Sequence, residues 1–164
     1  MREYYDLVDK LYTYLNGSPS VNTVTFGDIF QVDLSKQTIF PLAHVNIQSV
    51  SFTDYVMEFN LQVICMDLVD ETKDDKLATA TIPYRGLDNK HDILNTQLTV
   101  INGLQASLRR GELFRDKYQI VSDINASLFE DRFENLLTGW SMNVTLQVAN
   151  DDMSLINDTG DACR

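Results

Sequence analysis

Apolar side chains from residue 3 to 16 recur at helical intervals. Tyr4, Leu7, Val8, Leu11 and Leu15 share one stripe, and Tyr5 and Tyr12 widen it. Gly17 and then Pro19 supply a stop, so the spacing predicts a helix over 3–16. The period then shortens. "VNTVTF" and "DIFQVDL" read as short strands broken near Gly27, and the polar "SKQT" turns the chain back into "IFPLAHVNIQSV". Pro41 cannot donate to a ladder and suits a strand start or an edge. Beyond it, Ala43, Val45 and Ile47 point one way while His44, Asn46 and Gln48 point the other.

After a turn at "SFTDY", the run "VMEFNLQVICMDL" alternates clearly. Met57, Phe59, Leu61, Val63 and Cys65 share one face. Glu58, Asn60 and Gln62 share the other until Ile64 and Met66 join them. This is a long strand with one buried face, as in antiparallel sheets, and its apolar end calls for cover from another element or a neighbouring subunit. Residues 69–92 are rich in charge and turn formers and long for a plain connection. Asp92 is placed to cap a second helix near 93–110, with Ile93, Leu94, Leu98, Ile101, Leu104 and Leu108 as its buried stripe. Arg109 and Arg110 complement the dipole at its end, and Gly111 stops it.

"YQIVSDINASLF" reads as strand plus bend, and "EDRFENLLTG" as a loop. "WSMNVTLQV" is the cleanest strand: Trp140, Met142, Val144, Leu146 and Val148 alternate with Ser141, Asn143, Thr145 and Gln147. The order predicts an α+β fold, a mainly antiparallel sheet with helices packed on one face. Residues 1–149 form one domain in this reading, and 150–164 an acidic tail that is mobile unless a partner orders it.

The chain has 164 residues, 44% of them apolar, enough for a core. Its formal charge of −11 argues against a surface that grips nucleic-acid phosphates or an anionic membrane. It is compatible with solubility or with a pore wall that DNA slides past. No signal peptide and no apolar run near membrane-span length are evident. Cys65 and Cys163 do not make a disulfide framework, and the expectation is assembly in a reducing cytoplasm.

Candidate chemistry is sparse. His44 and His91 lack converging metal ligands, and His44 has no obvious partner in the sequence. No serine occupies a nucleophile elbow, Cys65 reads as core, and the seven glycines form no phosphate loop. The acidic "DETKDD" lacks the glycine and the offset glutamate of a calcium loop. Carboxylates such as Asp67, Asp70 or Asp88 would have to serve any unrecognised enzyme. The expectation is therefore no enzyme, no cofactor and no metal, but an interaction module.

The stretch "VTFGDIFQVDLSKQTIFPLAHVNIQSV", with its Gly27-Asp28 step and Phe40-Pro41, the long strand to "VICMDLVDE", the helix "ILNTQLTVINGLQASLRR" and the closing "LLTGWSMNVTLQV" carry a resemblance. In layout, over roughly residues 3–149, the chain resembles the tail-terminator, tail-completion, neck and connector ring proteins of tailed bacteriophages. The resemblance implies a homo-oligomeric ring, hexameric or dodecameric, in the virion neck or at the head-proximal end of the tail. It would be assembled in the bacterial cytoplasm, bind other head, neck and tail proteins, and leave a lumen for DNA without sequence-specific binding or membrane contact. Candidate subunit or partner contacts are then Leu34, Ser35, Lys36 and Gln37 in the first hairpin and Asp70, Lys73, Asp74 and Arg85 in the 69–92 excursion. Ile64 and Met66 on the second face of the long strand complete the set. The alternative is an assembly adaptor or chaperone that binds through its loops or acidic tail.

Overall fold

A computed structural model describes residues 3–34, 36–70, 89–111, 117–131 and 136–150. The expected α+β fold is observed. Helix α1 spans Glu3–Asn16 and α2 spans Lys90–Arg110. The strands are β1 (Thr23–Phe26), β2 (Leu42–Phe52), β3 (Val56–Leu68), β4 (Gln119–Ile120), β5 (Asn125–Asp131) and β6 (Leu137–Ala149). They form one sheet in the order β1-β2-β3-β6, with β4 and β5 following each other along the outer side of β6. All pairings are antiparallel except β1 with β2.

Alternation in the sequence sets the centre. β3 and β6 pair from Val56–Ala149 to Leu68–Leu137 without a slip. Phe59, Leu61, Val63 and Cys65 on β3 and Met142, Val144, Leu146 and Val148 on β6 face the helices. Leu7, Leu11 and Leu15 of α1 and Val100, Ile101, Leu104 and Leu108 of α2 close over them, all buried. Each such leucine contributes about 1.5–3 kcal/mol by leaving water.

Both helices differ from the expected stripes. Tyr4, Tyr5 and Tyr12 remain exposed on α1, because the helix turns Leu7, Leu11 and Leu15 to the sheet. On α2, Leu98 is exposed while Gln97 and Val100 are buried, so the helix is rolled relative to the apolar count. Asp92 lies inside the first turn; Asn89 holds the cap position, with no side-chain cap bond. The Asn89 amide instead accepts from the Asp70 N–H (2.7 Å) and donates to the Leu68 carbonyl (3.3 Å). It thereby staples the end of β3 to the start of α2.

The first hairpin is also corrected. "DIFQVDL" is not a strand, and β1 runs parallel to β2, which demands a crossover in place of a tight turn. Gly27 starts the crossover at φ 105°, open to glycine and strained for other residues. The Asp28 carboxylate then accepts from the Phe30 N–H (3.0 Å) and caps a 3-10 turn at Ile29–Gln31. A second 3-10 turn, Gln37–Ile39, leads to a cis Phe40-Pro41 peptide and into β2. Ile29, Val32, Leu34, Ile39 and Phe40 of this strap pack under the sheet against Leu42, Ile64, Met66 and Leu137. The expected apolar end of β3 is thus covered from within the chain.

Alternation on β2 is broken once. The pairing with β3 slips between Ile47 and Ser49, leaving Gln48 as a bulge. Ala43, Val45 and Ile47 face the helices before it; Val50 does so after it. At the other side of the sheet centre, Gly139 of β6 crosses Met66 so closely that an added Cβ would collide with the Cys65 carbonyl and lie 2.7 Å from the Met66 Cα. Gly139→Ala is therefore expected to destabilise the fold by about 3 kcal/mol. The urea midpoint measures this, and an unchanged midpoint would refute the close crossing.

Candidate interaction surfaces

The sheet face away from the helices is divided into two zones. Under the strap it is apolar. Beyond His44 and Ile64 it becomes a row of amides and hydroxyls joined across strands. Asn60 donates to Ser49 Oγ (2.8 Å) and accepts from Thr145 Oγ1 (2.8 Å). Gln62 donates to Ser141 Oγ (3.0 Å), and Gln147 donates to Glu58. An open cleft of about 410 Å³ runs along this row, lined by Gln48, Ser49, Asn60, Asp123, Asn143 and Thr145. Among the described residues its lining includes no lysine or arginine. Cross-strand bonds orient Asn60, Gln62 and Gln147, so this part of the surface is polar, fixed and, among the described residues, without positive charge.

At the boundary between the zones sits His44, fully buried. The sequence offers it no partner, because its partners come from β1 and the turn after it. The Gly27 carbonyl can only accept, so Nε2 carries the proton and donates to it (2.9 Å). Nδ1 then accepts from the Thr25 hydroxyl (2.8 Å). Burial pulls the imidazole pKa below its ordinary value, against the Gly27 carbonyl and the Asp28 carboxylate, which favour the charged ring. Both nitrogens are committed to holding the β1 turn in place.

A second polar cluster anchors α1. Tyr118 donates to the Asp6 carboxylate (3.0 Å), and Lys117 reaches Glu3 (2.5 Å) and Asp6 (3.2 Å). Burial would raise the Asp6 pKa, but hydrogen bonds from Lys117 and Tyr118, with the charge of Lys10, leave it below the usual carboxylate range. Lys117 is held above the ordinary lysine range, chiefly by Glu3. These groups are partly exposed, so the ion pairs orient the helix more than they stabilise it.

The candidate contacts separate. Ile64 and Met66 are buried beneath the strap, 4% and 0% exposed, and so present nothing to a neighbour. Leu34 is half-buried against the same cluster. Lys36 is exposed and pairs with Asp33 across 3.9 Å. Gln37 opens the second 3-10 turn. Asp70 is exposed, with its backbone held by Asn89. Ser35, Lys73, Asp74 and Arg85 lie outside the described residues, as do Cys163 and Asp88. Of the acids considered for catalysis, Asp67 has its pKa raised by burial, opposed by the Leu68 N–H that it accepts. Cys65 is buried, its thiol pushed up to about 12. Among the described residues, no three His, Cys, Asp or Glu side chains gather as a metal site, and no helix is long and apolar enough to cross a membrane.

The polar row is partly legible in the sequence, as the alternation of Glu58, Asn60 and Gln62 with Ser141, Asn143, Thr145 and Gln147. The bulge that brings Ser49 into it is not, because nothing in "NIQSV" marks the slip. No protein-family model matches the chain, and no curated protein matches it.

The imidazole makes pH a test of the β1 turn. A folded-state pKa below the unfolded value means the unfolded chain binds more protons, so stability falls as pH drops through and below about 6.5. We expect the urea midpoint to fall between pH 7.5 and 5.5. His44→Asn should lower the midpoint at pH 7.5 and flatten this decline. An undiminished slope in the variant would assign the pH dependence elsewhere.

Proposed function

We propose that the chain is a non-enzymatic ring subunit of a tailed bacteriophage, placed at the neck or the head-proximal end of the tail. In this reading it joins head to tail and leaves a channel for DNA. The observation that carries it is the open sheet face: a row of mutually bonded amides and hydroxyls with no cation among the described residues. Retaining DNA requires lysine or arginine against phosphates, which release condensed counterions. A fixed neutral and acidic surface stays hydrated and holds no phosphate, which suits a wall that DNA must pass. The chain's charge of −11 acts in the same direction. The layout of helix, strands, helix and strands supports the same reading.

Electron microscopy of lysates in which the protein is depleted tests it. The expected outcome is separate heads and tails, with joined particles restored when the protein is added back. Joined, infectious particles that form without the protein would refute the reading. Mass spectrometry of purified virions supplies the second arm: the chain should be present in few copies per particle, and its absence would count equally against the proposal.

A further inference from the structure

The residues that helical spacing counts as core, and that the fold leaves bare, lie on two outward flanks. Tyr5 is 70% and Tyr12 46% exposed. On α1 they occupy the flank opposite Asp6 and Lys10, the flank that meets Lys117 and Tyr118. They therefore face away from α2, toward the side of the sheet where β1 and then the rest of β2 form the edge. On α2, Gly103 receives the Tyr14 hydroxyl on one flank. Leu98, 41% exposed, lies on the other, in line with Lys90 and Leu94. Lys90 pairs with Glu130 of β5, and the Leu94 carbonyl accepts from Trp140 Nε1 (2.9 Å). Trp140 stands opposite Leu128, itself 51% exposed. That flank of α2 therefore overlooks the β5 edge.

Each side of the molecule thus has the same two layers: a bare apolar helix flank above a strand edge. Among the described residues, β1 has no partner beyond β2, and Ala126–Phe129 of β5 has none beyond β6. β1 carries no charge, and β5 none before Glu130. Exposed neutral edges of this kind invite pairing unless a partner takes them. β1 runs parallel to β2 and β6, and β5 runs against them. A neighbouring copy in the same orientation would therefore bring its β1 antiparallel to β5.

Charge favours the same occupant. The helices run in opposite directions: the first turn of α1 meets Lys117 and Tyr118 beside β4, and its last turn meets Gly103. Asp9 lies five residues before Tyr14, on the tyrosine flank. Arg109 lies six residues beyond Gly103, on the leucine flank, with its Nε donating to Gln105 (3.1 Å). At about 1.5 Å per residue both sit at nearly one height, so opposite charges would face each other across the contact.

We propose that this chain associates head to tail with a second copy of itself, the α1–β1 side of one subunit against the α2–β5 side of the next. Its choice of occupant rests on the ring reading above. The two surfaces differ, so the contact is heterologous and propagates until it closes. Light scattering after size exclusion tests it with two surface variants. One is Tyr5→Asp with Tyr12→Asp; the other is Leu98→Asp with Leu128→Asp. All four side chains are exposed, and circular dichroism should confirm folding unchanged. The wild type should form a discrete oligomer, and each variant alone should be a single chain. Mixed, the two variants should give one-to-one dimers, since each retains one intact side. A wild-type oligomer that survives in both variants would overturn the seam and leave the ring reading standing. A wild type that remains a single chain at all concentrations would overturn the self-contact, while the depletion experiment decides the neck role separately.

Discussion

The unbroken pairing of β3 with β6 is the constraint on which the other elements depend. It places two long apolar rows side by side for the helices. On the reverse face it brings Ile64, Met66 and Leu137 together, creating an apolar area that must be covered. Gly139 permits the backbones to approach that closely. The strap, the parallel arrival of β1 and the burial of His44 all follow from the need to cover that area with residues 27–40.

The reverse face has two tasks separated by a short boundary. Its apolar half belongs to folding. Its amide half is not needed for the core, and its side chains satisfy one another across strands. A row that is internally bonded loses less on dehydration than one that depends on water, and it resists rearrangement when something slides over it. That property fits the proposed channel-wall role.

Much of the architecture was legible in the sequence. β3 and the faces of β6 follow from strict alternation, and both helices from their leucine spacing. What was not legible depended on contacts between distant segments. "DIFQVDL" alternates like a strand, but its apolar residues were needed beneath Met66, and Asp28 capped a turn instead. The tyrosines of α1 fit the helical period, yet three leucines suffice to reach the sheet. His44 looked solitary because Thr25 and Gly27 come to it only through a parallel pairing. Ile64 and Met66 stand out in the sequence as apolar residues on the second face of β3, but the chain itself supplies their cover.

The Asn89 staple fixes the span between the end of β3 and the start of α2. Two hydrogen bonds from one side chain join the points where the chain leaves the sheet and rejoins it. The exit from β3 and the entry to α2 are therefore tied directly to each other. Losing the Asn89 amide would thus release two chain ends at once, the exit from the sheet and the entry to the second helix.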